Sequence, residues 1–291
     1  LSFSELPACC CKGTVGGKRS ETPKTENNIK MKRLTTILIM GILATLFGCG
    51  QNKSNDKSSD NSAEQPITKP VENITATKDQ IERRTKSEDY CKSKNIPTYK
   101  NPNSLFVDPE DKVTIRTQDE VVDRALALCY LGLKSEGLEQ AHLDKMDKEF
   151  NIKAKLTEEE KLYAYNEKPT EQQKTDANWR YESLHVLLWS LGYIEQLSYP
   201  GEICNVADDV KIIYELKEQK FRQNAKLRTK KEILDQADLI LRLNWACVSA
   251  RVKNEQAPSG LNSSVVYERH YSLNWLIKFM NQEWDKVTTD T

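Results

Sequence analysis

From about residue 78 onward, apolar residues recur at spacings of three and four with polar residues between them, the period of a helix buried along one side. Four threonines open such stretches with a carboxylate or amide three residues later: Thr77 with Gln80, Thr117 with Glu120, Thr157 with Glu160, and Thr229 with Glu232. In a capping box of this spacing the two side chains satisfy backbone N–H groups that the first helical turn leaves without partners. The pattern predicts helices from 78, over 117–136, 138–150, 157–165, 178–198, 206–221 and 229–253. The 178–198 segment is apolar almost all round its middle and is expected to be a central buried helix. On the long 229–253 helix, Ile233, Ala237, Ile240, Asn244 and Cys247 share one stripe.

Residues 265–291 are the densest in information. They read as an amphipathic helix with Ser263 or Ser264 as N-cap and Glu268 in the first turn, where a negative charge suits the helix dipole. Its apolar stripe runs through Val266, Leu273, Ile277, Met280 and Trp284 and also carries His270. Between residues 95 and 116, Pro97, Pro102 and Pro109 break helix, and 105–107 with 113–115 are expected to pair as one short β-hairpin. Strands and helices do not alternate, and no long repeat occurs. The expected fold is mostly α, a single multi-helix domain of about 210 residues over 78–291.

The first 77 residues read differently. Residues 1–30 begin without Met, lack apolar periodicity and are expected to be upstream read-through. Their adjacent Cys9, Cys10 and Cys11 lack the second pair that a metal site of this kind needs. Residues 31–48 place Lys32 and Arg33 before an apolar run, 34–47, that is short for a membrane span. Leu46-Phe47-Gly48-Cys49 resembles the lipobox of bacterial lipoproteins. That resemblance implies cleavage before Cys49 and lipidation of its thiol; an uncleaved signal anchor is the alternative. Two or more acyl chains, at about 0.8 kcal/mol per buried methylene, hold a protein durably on a bilayer. The residue after Cys49 is Gly50 and not Asp, so the resemblance implies the outer membrane, facing the periplasm, in a cell with two membranes. Residues 51–77 are rich in Ser, Asn, Asp, Lys and Pro, cannot bury enough surface to fold, and are expected to form a tether reaching on the order of 30 Å.

Composition adds less. The chain is 38% apolar, enough for a sizeable core, and its formal net charge is zero. Without residues 1–48 it carries an excess of about four acidic charges. Clustered Lys and Arg are what phosphate neutralisation requires, so no nucleic-acid partner is expected. The expected partners are membrane lipid through Cys49 and a protein.

No Gly-rich phosphate loop, nucleophile elbow or paired Cys-x-x-Cys is present. The histidines number three: His142, His185 and His270. Glu182 and His185 have the Glu-x-x-His spacing of carboxylate-bridged di-iron bundles, but such a site needs a second copy, and none exists here. No metal or cofactor is therefore expected. His270 points where the apolar stripe points, with Asn274 one turn on and Glu268 and Arg269 beside it. With Glu182, Asp238, Asn244 and Asp285 these residues form a candidate polar cluster, either a ligand or acid–base site or a satisfied core network that fixes helix register. Trp179, Trp189, Trp245, Trp275 and Trp284 fall in or beside the helical stripes and are expected in the core. Of the domain's cysteines, Cys129 and Cys247 sit on buried stripes as inert thiols, whereas Cys91 and Cys204 are a candidate disulfide in an oxidising compartment.

Several runs carry a family resemblance: Trp179-Arg180-Tyr181-Glu182-Ser183, Leu187-Leu188-Trp189-Ser190-Leu191-Gly192, Asn244-Trp245-Ala246, Glu268-Arg269-His270-Tyr271-Ser272-Leu273-Asn274-Trp275-Leu276, and the closing Trp284-Asp285 with Thr289-Asp290-Thr291. Together they resemble the bacterial domain-of-unknown-function family numbered 4272 over roughly residues 80–291. Asn244 departs from the His-Trp-Ala run that the resemblance leads one to expect. The family brings no activity or catalytic residue. The expected function is a lipid-anchored cell-envelope protein with a binding or interaction role. Two alternatives stand beside it: an uncharacterised hydrolase using His270, Glu268 and Asp285, and, by analogy, a periplasmic immunity-type protein.

Overall fold

Many of the helix starts are set where a Thr side chain can close on the residue three positions later. In the computed structural model, which describes residues 74–290, all four expected capping boxes are formed. At the second, Thr117 N donates to Glu120 Oε2 at 2.7 Å while Glu120 N donates back to Thr117 Oγ1 at 3.3 Å. A fifth box, Thr170 with Gln173, opens the central helix before the expected residue 178. Its first turns are wholly polar, so hydrophobic periodicity could not reveal them. The expected read-through, signal peptide and Cys49, together with the tether up to residue 73, lie outside the described residues.

Among the described residues, eight α-helices and no strand follow one another: α1 Lys78–Ser93, α2 Gln118–Ser135, α3 Gln140–Phe150, α4 Glu158–Ala164, α5 Glu171–Ser190, α6 Val206–Asn224, α7 Lys230–Val252 and α8 Ser263–Leu276. The fold is mostly α, as expected. The most extensive interface joins α2 to α5; α5 packs on α8, α8 on α7, and α7 on α1. Helices α3, α4 and α6 flank α2. No helix among these is long and apolar enough to cross a membrane. Helix α2 is buried from Ala125 through Leu133 and meets the buried Tyr181, Leu184, Leu187 and Leu188 of α5. Each such aliphatic side chain contributes about 1.5–3 kcal/mol on burial.

The closing segment is not one amphipathic helix. Helix α8 stops at Leu276, and every residue from Val265 to Leu276 except Tyr267 is buried, so it is a core helix enclosed on all sides. Asn262, not Ser263 or Ser264, is its N-cap: Asn262 Oδ1 accepts from Ser264 N at 3.1 Å and Val265 N at 3.4 Å. Beyond it the chain turns through left-handed backbone at Lys278, Met280 and Asn281 into two short 3-10 turns. Met280 is exposed, outside the stripe that the helical register assigned to it.

The expected β-hairpin is also absent, because side chains of neighbouring helices take the carbonyls that a ladder would use. Gln80 Nε2 donates to Val107 O at 2.8 Å, Lys230 Nζ to Val113 O at 2.9 Å, and Arg242 Nη2 to Leu105 O. Arg84 alone donates to the carbonyls of Tyr99, Asn101, Pro102 and Ser104. The loop between α1 and α2 is thus held by long cationic side chains, a device invisible to periodicity.

Candidate functional site

Seven of the eight residues of the expected cluster are engaged in hydrogen bonds or ion pairs, two of them with each other. On α8, Arg269 Nε donates to Glu182 Oε2 of α5 at 3.3 Å, with both side chains 2% exposed. Arg269 Nη1 donates to Ser198 O at 2.6 Å, and Glu182 Oε1 accepts from Cys204 N. Glu182 and Arg269 therefore tie α5, α8 and the 191–205 loop together. One residue earlier on α8, Glu268 Oε2 accepts from Arg180 Nη1 at 3.0 Å and Ser183 Oγ at 2.7 Å. Burial pushes the Glu268 carboxyl above its ordinary range, against the pull of Arg180.

Elsewhere Asp238 pairs with Arg242 along α7, Nη2 to Oδ1 at 2.9 Å. Asn274 Nδ2 donates to Thr288 O at 2.8 Å and Asn244 Nδ2 to Thr289 O at 3.0 Å, fixing the returning C-terminal segment. Trp284 in that segment makes edge contacts with Tyr271 and Trp275 at centroid distances of 5.1 and 5.4 Å. Asp285 Oδ1 accepts from Thr157 Oγ1 at 2.8 Å.

His270 stands apart. It is 2% exposed, its Nδ1 has no hydrogen-bond partner, and burial lowers its pKa to about 3. Two residues from Glu268 on a helix, it lies on a different face, and Asp285 is engaged with α4. Of the three groups of the hydrolase alternative, Glu268 and Asp285 both lie near Tyr271, whereas His270 makes no bond to either through its Nδ1.

The structure assembles a second cluster that the sequence pattern left unread. His185 Nδ1 on α5 lies 2.9 and 3.2 Å from the two carboxylate oxygens of Asp209, in the first turn of α6. Donor atoms of His185, Asp209 and the buried Cys204 all lie within 4.8 Å of one another. Burial, reinforced by Glu182 and Asp209, pushes the Cys204 thiol far above its ordinary value. That field opposes a free thiolate nucleophile. Cys204 and Glu182 also line a cleft of about 360 Å³, rimmed by Glu171, Lys174, Asn178 and Trp179. The three donors come from α5, α6 and the loop between them, with no Cys-x-x-Cys or His-x-x-x-His spacing to announce them. The one sequence signal was His185, one turn from Glu182, but Glu182 turns to Arg269 and Cys204 N, and His185 meets Asp209 in its place.

Two further expectations are corrected. Cys91, Cys129, Cys204 and Cys247 are all free and buried. Cys91 sits among Asp238, Arg242 and Glu88, and Cys204 among Glu182, Asp209 and Arg269, so the Cys91–Cys204 pair is not made. Trp189, Trp275 and Trp284 are core residues, whereas Trp179 and Trp245 are only partly buried. Trp179 lines the cleft and Trp245 packs on Tyr99 at 5.6 Å between ring centroids.

Among known proteins, the family model described as Domain of unknown function (DUF4272) matches residues 83–287. No curated protein and no solved structure matches the chain.

Proposed function

We propose, from the premise that this chain belongs to the DUF4272 family of domains of unknown function, that it is a lipid-anchored binding protein of the cell envelope whose helical domain engages a protein partner. The observation that carries the binding role is the commitment of the acids in the expected cluster. Glu182, Asp238 and Glu268 are each answered by an arginine, Arg269, Arg242 and Arg180, the fourth buried acid, Asp209, is paired with His185, and His270 is sealed from solvent. What faces outward is the cleft beside α5, where Trp179, the exposed Ile203 and a polar rim provide an aromatic and aliphatic anchor surrounded by charge. Hot spots of protein interfaces have this composition. The anchoring rests on the lipobox resemblance at Cys49 and on the polar tract that follows it.

Fractionation and crosslinking test the two parts separately. Wild-type protein is expected in the membrane fraction and Cys49→Ala in the soluble fraction; membrane retention of the variant rejects lipid anchoring. A photo-crosslinking amino acid at Asn178, on the cleft rim, is expected to trap one dominant protein. The same group at exposed Val252 is expected to trap none. Equal patterns at both positions reject the cleft as the binding face.

A further inference from the structure

Donor chemistry around the base of the cleft goes beyond protein binding. We propose that His185, Cys204 and Asp209 form a site for a divalent transition-metal ion of the zinc type, with a fourth coordination position on the side of the cleft. The three donors are an imidazole nitrogen, a thiol sulfur and a carboxylate oxygen, the set that zinc takes, and they lie within 4.8 Å of one another before any ion draws them together. Ligand distances of about 2.0–2.3 Å place tetrahedral donors roughly 3.3–3.8 Å apart, so loading draws Cys204 inwards. His185 Nδ1 and Asp209, now hydrogen-bonded at 2.9 Å, open slightly as the imidazole proton moves to the other ring nitrogen.

Charge supports the same assignment. Glu182 is neutralised by Arg269, which leaves Asp209 as the carboxylate facing His185 and Cys204. A dication bound by neutral imidazole, carboxylate and thiolate gives a site of zero net charge, the Cys204 thiol passing its proton to solvent on ligation. Without the ion, the buried thiol lies beside Asp209 and the mutually neutralised Glu182–Arg269 pair. Glu182 has the place of a supporting group: it accepts from Cys204 N and from Arg269 Nε, and so fixes the backbone that carries the sulfur. Cys204 belongs both to this set and to the cleft lining. His185 and Asp209 lie behind Cys204, away from the cleft lining, so Cys204 is the side on which a water or a ligand's anionic group would approach the position that three protein donors leave open.

Cobalt(II) added to the full-length, detergent-solubilised protein reads the site directly. The expected result is one equivalent bound, with a thiolate-to-cobalt charge-transfer band and the intense visible bands of a tetrahedral ion. Cys204→Ala abolishes the charge-transfer band, Cys91→Ala keeps it, and Glu182→Gln weakens affinity about 10- to 100-fold. A band that survives Cys204→Ala comes from another thiol and overturns the assignment, as does the absence of any band in the wild-type protein. Alkylation of the unmutated protein gives a second measure that does not depend on variant folding. Zinc is expected to slow modification of Cys204 mapped by mass spectrometry while leaving Cys91 unchanged, and an unchanged Cys204 rate overturns the site.

Discussion

The ring of Tyr181 on α5 occupies the space beside Gly132 on α2 in which any other residue would place its Cβ. Such an atom would lie 2.5 Å from Tyr181 Cε1 and 2.8 Å from Cε2. Glycine inside a helix ordinarily costs about 0.5–1 kcal/mol relative to alanine, so on propensity alone Gly132→Ala should stabilise α2. We expect the reverse. Overpacking at the most extensive helix interface costs about 1–3 kcal/mol, read as a lower urea midpoint. An unchanged midpoint would mean that α2 and α5 part easily and that Tyr181 does not set their approach.

His270 gives the fold a pH dependence of definite sign. Burial holds its imidazole neutral to a pKa of about 3, against 6.5 for an ordinary histidine. Between those values the unfolded chain binds a proton that the folded chain refuses. Its contribution is therefore complete above pH 6.5 and is lost as pH falls towards 3, by about 1.4 kcal/mol per pH unit. Denaturation at pH 7 and pH 5 should show His270→Leu losing about 2 kcal/mol less than wild type over that interval. Parallel losses in the two proteins would place His270 in contact with solvent or with an acid.

The helices could be seen in the chain because their causes are local: a Thr cap with its partner three residues on, and apolar positions at helical spacing. The failures have a common cause in long-range side-chain bonds. Arg84, Lys230 and Arg242 take the carbonyls of the 95–116 segment from residues 15 to 137 positions away, so a stretch that alternates like a hairpin becomes a held loop. The polar residues of α8 were visible as a group, but which acid meets which arginine depends on how α5 and α7 cross α8. Cys204 was read as a disulfide candidate and Asp209 was not singled out, since only the turn between α5 and α6 carries them to His185.

Lys217 interrupts α6 with φ 59° and ψ 167°, a backbone region that L-residues avoid. Its ammonium reaches Glu149 at 3.4 Å and lies 4.3 Å from the Tyr214 ring centroid. These half-exposed contacts are worth a few tenths of a kcal/mol, less than the strain of about 1–3 kcal/mol. Lys217→Gly is expected to raise stability by about 1 kcal/mol, whereas Lys217→Ala, which keeps the strain and loses the contacts, lowers it. A melting comparison of the two variants separates backbone from side chain.

The C-terminal segment is held by two asparagine side chains on different helices. Asn274 on α8 and Asn244 on α7 each donate to a carbonyl, Thr288 O and Thr289 O. Removing a buried donor and leaving its acceptor costs about 1–3 kcal/mol. Asn274→Ala should lower stability by that amount and open the segment after Trp284 to proteolysis before the helices unfold. Cleavage at the wild-type rate would show that the Trp284 edge contacts hold the segment without help.

Glu182 and Arg269 pose the sharpest test of what the buried polar network contributes. Arg269→Met leaves a carboxylate 2% exposed without its cation and is expected to cost about 3–5 kcal/mol. In many buried pairs, replacing both partners by apolar groups of similar volume recovers nearly all of such a loss. Here recovery should be incomplete. Glu182→Met combined with Arg269→Met also strands the buried Cys204 N, which Glu182 now satisfies, at about 1–3 kcal/mol, while the carbonyl of the exposed Ser198 can turn to water. A double-mutant cycle by chemical denaturation measures both parts. Full recovery would make the pair a replaceable strut. A residual deficit of the expected size would show that it is kept for the loop it fastens, the one that carries Cys204 to the base of the cleft.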